Sequence, residues 1–143
     1  MGYLNDFEHS FMQHTLEIIR EYKGDFDATI LVNCLLGLLV IPKEKFLEAI
    51  PLDSISSFSE WGINPDSIKQ IGKKTKKNKY PDTLRGFVYS LRNSVAHFRL
   101  NPIPATEEVH SFEFTDRDGF RAVIKLEEIR DFVERLADHL DKH

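Results

Sequence analysis

Residues 83–99 read TLRGFVYSLRNSVAHFR, and the chain is organised around them. Leu84, Phe87, Val88, Leu91, Val95 and Phe98 recur at steps of three and four. That spacing predicts a helix with one apolar face turned to the core. At about 100° per residue, Arg92, Asn93 and His97 fall on the other side of the cylinder. Gly86, Ser90, Ser94 and Ala96 fill much of that second side. A face of small residues carrying Arg, Asn and His can meet another helix closely.

Working outward, Asp82 after Pro81 is the expected N-cap. Asn101-Pro102-Ile103-Pro104 breaks the helix at its other end. Beyond it, Val109, Ser111 and Glu113 alternate with His110, Phe112 and Phe114, residues 115–119 turn through Gly119, and residues 120–126 run as a second strand. This is a β-hairpin pattern. Ile129, Phe132, Val133, Leu136 and Leu140 then give a last amphipathic helix over 126–142. Upstream, helices are expected over 5–23 and 28–41, the second apolar nearly all round, with a short one over 43–49. Residues 52–65 read as a Ser-rich loop anchored by Trp61, and 65–71 as a short helix. The expected architecture is a mainly α bundle of four to five helices, in a single domain over 1–143, with one hairpin before the C-terminal helix.

With 143 residues, 41% hydrophobic and 29% charged, the chain can bury a core unaided and has ordinary globular composition. Cys34 is alone, so no intrachain disulfide can form, and it reads as a buried thiol in a reducing compartment. MGYLNDFEHS has no basic start followed by an apolar block, and the apolar run at 28–41 is shorter than the roughly 20 residues that span a bilayer. The expectation is a cytoplasmic protein with no membrane contact.

The net charge of −4 hides an asymmetry. Residues 69–99 hold six lysines and three arginines against one acid, Asp82. One concentrated basic segment in an acidic chain points to a local anion site. Lys73, Lys74, Lys76 and Lys77 stand just before the helix and Arg99 just after it. They are the candidates for phosphate contact, although such runs most often serve only solubility.

Arg92-x4-His97, with Asn93 directly after the arginine, resembles the signature of HEPN domains. The run ATILVNCLLGLLVIPK at 28–43 resembles the second helix of a plasmid-encoded subgroup, and the hairpin before the last helix fits it too. The resemblance implies a metal-independent endoribonuclease without cofactor, acting as a homodimer with a composite site. It also implies 2′,3′-cyclic phosphate and 5′-hydroxyl ends, and a role as a toxin or antiviral effector, with an antitoxin or regulatory protein as a possible partner. In some HEPN toxins paired with a nucleotidyltransferase, a tyrosine two residues after the histidine is modified. Arg99 occupies that position, so such control is not expected.

The residue chemistry agrees. Histidine as a residue type exchanges a proton near neutrality, which suits His97 to proton transfer. Arg92 offers a permanently charged fork of donors to phosphate oxygens. Asn93, an i,i+4 neighbour of His97, is placed to orient the imidazole or touch phosphate. Residues i and i+5 diverge by about 140° on an ideal helix, which favours two motifs meeting across a dyad. The rival readings are a non-catalytic module that binds nucleotide, RNA or protein, and a purely structural dimer. His9 with His14, and His139 with His143, invite a metal reading, but the carboxylates or cysteines that would complete a site are missing. Trp61 and Tyr80 could stack on bases, though a loop aromatic tucked onto the core is the simpler reading. No Gly-x-Ser-x-Gly elbow accompanies Ser90 or Ser94.

Overall fold

Apolar stripes at helical spacing and runs of strand alternation converge on one phenylalanine, Phe87. In the computed structural model, residues 47–104 and 108–142 are described, together with positions 10, 13, 14 and 17. Of the helix expected over 5–23, Ser10, Gln13, His14 and Glu17 are described and are helical; the helix expected over 28–41, with Asn33 and Cys34, lies outside the described residues, as do His9 and His143.

The motif helix, α1, is Leu84–Ala96, and the last helix, α2, is Leu126–Lys142. Four strands complete the described part: β1 Ile68–Gln70, β2 Leu100–Ile103, β3 Ser111–Thr115 and β4 Arg121–Lys125. They form one antiparallel sheet in the order β1-β4-β3-β2. Two 3-10 turns, Ile55–Trp61 and Pro65–Ser67, precede β1.

This corrects the expected fold class: the chain is not a mainly α bundle of four to five helices, because a four-stranded antiparallel sheet accompanies its helices. The hairpin is present as β3 and β4, with Glu113 paired to Val123 at its middle. Asp116 closes it by accepting from the N–H groups of Asp118 and Phe120 through Oδ1 at 2.8 and 3.1 Å. The sheet is widened by two edge strands where the sequence pattern indicated none. Residues 101–104 were expected only to break a helix, yet Leu100–Ile103 pairs with β3. The short helix expected over 65–71 is a single 3-10 turn, capped by Asn64, that delivers Ile68–Gln70 to β4. A prolyl residue is tolerated at such an edge because its missing N–H can face away from the neighbouring strand.

α1 buries Leu84, Phe87, Val88, Leu91 and Val95, and α2 buries Ile129, Phe132, Val133, Leu136 and Leu140. Phe112, Phe114, Ala122 and Ile124 supply the inward face of the sheet. Phe87 sits among Phe58, Phe132 and Phe120, with ring centroids 5.2, 5.6 and 5.9 Å away. Tilted and edge-on rings at such spacings add to the area they bury. Glu128, in the first turn of α2, accepts from the Asn64 N–H, the Ser67 hydroxyl and the Lys125 N–H. A carboxylate there satisfies donors and suits the helix dipole. Among the described residues, no helix is long and apolar enough to cross a membrane.

Candidate functional site

α1 is held at its start by Thr83 rather than by the expected Asp82. The Thr83 hydroxyl accepts from the Gly86 N–H at 3.3 Å and donates to the Tyr80 carbonyl at 2.7 Å. The segment before the helix thereby folds back against it. An added Cβ on Gly86 would stand 2.2 Å from the Tyr80 carbonyl oxygen and 2.5 Å from Pro81 Cα. Ser90 and Ser94 are also buried. Three of the four small residues read as a surface for a partner helix are therefore used within the chain, and Ala96 is left exposed.

The other end of α1 is closed by a paired turn. The Arg99 N–H donates to the Ser94 carbonyl at 2.7 Å, and the Phe98 N–H to the Val95 carbonyl at 3.1 Å. This is the Schellman arrangement, which needs a left-handed residue at its second-last position. Here that residue is Phe98, with φ 56°. Ser94 Oγ and the Thr115 N–H both donate to the Arg99 carbonyl, at 2.7 and 3.0 Å, and weld the turn to the end of β3. Glycine is the usual occupant, since left-handed backbone costs a residue with a Cβ about 1–2 kcal/mol. Phe98 was expected in the core, but it is 78% exposed. The helix stops two residues before it, and the left-handed turn carries its ring outward.

Four candidates around the motif lie at this end of the helix. Arg92 and Asn93 are half-buried on the last turns of α1, while His97, the C-cap, and Arg99 are exposed. The His97 N–H donates to the Asn93 carbonyl at 3.1 Å, so the backbone ties these two residues together. Three of the other arginines are used structurally, whereas Arg117, exposed on the hairpin turn, has no partner among the described residues. Arg85 donates to the carbonyls of Ile50 and Glu48, Arg121 pairs with Glu113 at 2.7 Å, and Arg135 donates to the Glu60 carbonyl. Among the described residues, the side chains of Arg92, Asn93, His97 and Arg99 have no such partner.

The four lysines are divided. Lys76 and Lys77 line a cavity of about 290 Å³ with Lys79, Tyr80, Arg85 and Tyr89. Lys73 and Lys74 are exposed beside the hairpin turn, where the Lys73 N–H donates to the Asp118 carbonyl at 2.9 Å. The lysine run is thus fastened at that point and again by a turn between Thr75 and the buried Asn78. Arg85, Tyr89, Arg92 and Ala96, at i, i+4, i+7 and i+11, share one stripe of α1. The stripe runs from the cavity toward His97, about 18 Å at roughly 1.5 Å per residue. The candidate set did not include Arg85 or Tyr89, although their spacing from Arg92 is visible in the sequence.

Trp61 is an anchor: its Nε1 donates to Asp53 Oδ2 at 3.1 Å, and its ring meets His139 edge-on at 5.4 Å. His139 Nε2 in turn bonds the Ala49 carbonyl at 3.0 Å. Among the described residues, no group of three or more His, Cys, Asp or Glu is placed to hold a metal ion.

In comparisons with known proteins, residues 1–143 match the family model described as HEPN pEK499 p136. No curated protein and no solved structure matches the chain.

Proposed function

We propose a function from one premise: this chain belongs to the HEPN family. It is an endoribonuclease that needs no metal, acts on single-stranded or looped RNA, and completes its site across a two-fold axis with a second copy. The observation that carries this reading is the contrast among the polar side chains. Arg92, Asn93, His97 and Arg99 gather at one end of α1 without internal partners among the described residues, while Arg85, Arg121 and Arg135 are engaged.

The chemistry divides as follows. The ribose 2′-oxygen attacks the adjacent phosphorus, and a His97 imidazole takes its proton. As the phosphorus–5′-oxygen bond breaks, the His97 of the second copy returns a proton to the leaving oxygen. Arg92 stabilises the charge that gathers on the non-bridging oxygens. Asn93 orients the imidazole or a phosphate oxygen. Lys76 and Lys77, with Arg99, draw the backbone along the helix stripe. The accompanying role is that of a toxin or defence effector, checked by an antitoxin or regulatory protein.

End-group analysis tests the reading. Incubation with mixed RNA should leave 2′,3′-cyclic phosphate and 5′-hydroxyl ends, at a rate EDTA does not change. Inhibition by EDTA that a divalent metal reverses would point to a different nuclease mechanism. Intact RNA with binding retained would move the reading to a non-catalytic module, which the basic cavity equally suits.

The lysines have their own test in salt. Single-stranded binding should weaken linearly in log–log coordinates, by about 0.7 per phosphate contacted. Lys76→Ala and Lys77→Ala should each lower that slope by about one contact, measured by titration at several salt concentrations. Slopes that do not change would remove these lysines from the track.

A further inference from the structure

Phe98 carries two unfavourable features at once. Its backbone is left-handed, a conformation suited to glycine, and the residue is 78% exposed, outside the core. The turn requires the left-handed backbone, but not an aromatic side chain upon it. Glycine would make the same two helix-ending bonds to Ser94 and Val95 without the penalty. The backbone on both sides is fixed by those bonds and by the contacts of the Arg99 carbonyl to Ser94 and Thr115. An aromatic ring is therefore held in solvent on a rigid turn, between the exposed His97 and the exposed Arg99.

We propose that Phe98 is a base-stacking platform, taking the unstacked nucleobase of a nucleotide that flanks the phosphate held by Arg92 and His97. The proposal rests on the RNA-cleaving reading for its ligand class. Single-stranded RNA presents π faces and phosphates in alternation, and an aromatic ring beside the Arg99 cation matches both. A contact with a protein surface, where aromatic and arginine side chains are also enriched, is the rival outcome that the test separates. Strain retained at such a point is the pattern of a ligand contact. The stacking face also gives the nucleic acid a fixed register, setting the scissile phosphate over the motif.

The test uses an RNA oligonucleotide with 2′-O-methyl sugars, which lacks the attacking hydroxyl and cannot be cleaved, and the same oligonucleotide with abasic positions. Phe98→Gly should weaken binding of the first about 5- to 100-fold, within the range for losing one stacked base. It should leave binding of the abasic form unchanged. Phe98→Trp should bind the first at least as tightly as the wild type. Thermal melting of Phe98→Gly at or above the wild-type midpoint excludes unfolding as the cause. Equal affinity of Phe98→Gly and wild type for the intact oligonucleotide overturns the proposal while leaving the cleavage reading standing. A fall in sedimentation mass on Phe98→Gly overturns it in favour of a contact between copies, and no RNA binding by the wild type overturns it outright. Weakened binding by Phe98→Gly in a protein that never cleaves RNA supports the platform and sinks the nuclease reading.

Discussion

His97→Ala should lower kcat/KM for RNA cleavage by about 10²–10⁴-fold, the range for removing a positioned proton-transfer group. The fold should be unaffected. His97 is exposed at the C-cap, its side chain has no partner among the described residues, and its structural contact is the backbone bond to Asn93, which alanine keeps. Denaturation midpoints of variant and wild type should therefore agree. Arg92→Ala should cost about 10²–10³-fold, as for removing one stabilising donor group from a developing oxyanion. Arg92→Lys should recover only part of this, because an ammonium cannot present the planar fork. Undiminished cleavage by a clean His97→Ala preparation would end the assignment. The same variant serves in cells, where growth arrest by the wild type should disappear with His97→Ala. Two copies sharing one site also predict that specific activity falls on dilution below the dimer dissociation constant. Full activity in a protein that sediments as a monomer would refute the shared site.

Where local chemistry closes an element, the sequence reports it well. α2 spans the residues its apolar period predicts, and the hairpin turns where Asp116 and Gly119 allow it. The two edge strands were hidden because their pairing is tertiary. Leu100–Ile103 contains Pro102, a helix breaker in isolation, and only β3 beside it makes a strand of the segment. Pro65-Asp66-Ser67 carries a helix-start pattern and makes one turn of 3-10 helix before β4 captures the next three residues.

The end of α1 was misjudged for a related reason. The apolar period continues through Phe98, but the Ser94 hydroxyl and the Thr115 N–H claim the Arg99 carbonyl and turn the chain away first. Arg92, Asn93 and His97 stood out in the sequence only through their spacing joined to the wider resemblance, and the structure places them on the last turn of α1 and its cap. That the small residues serve the interior was not legible, because Gly86 gives no sign in sequence of which backbone approaches it.

Gly86→Ala tests that last point through the stability of the protomer. Helix propensity alone predicts a gain of up to about 1 kcal/mol for the exchange, the value at an interior helical position. The structure reverses the sign. The new Cβ would lie 2.2 Å from the Tyr80 carbonyl oxygen, 2.5 Å from Pro81 Cα and 2.9 Å from the Pro81 carbonyl carbon. All three are backbone atoms, so no rotamer change relieves the clash. The 80–81 segment must move away from α1, straining the two bonds that Thr83 makes to Tyr80 and Gly86. Overpacking of this kind costs about 1–3 kcal/mol and more where backbone must shift, so a net loss of about 3 kcal/mol is expected by urea denaturation. Tyr80 and Gly86 also line the basic cavity, so surviving folded protein should bind RNA more weakly. Had Gly86 instead been an approach surface for a second copy, the variant would keep or raise protomer stability and lose only dimer mass. Denaturation and sedimentation on one preparation separate these outcomes. A stable Gly86→Ala protomer would show that the 80–81 segment does not rest on α1.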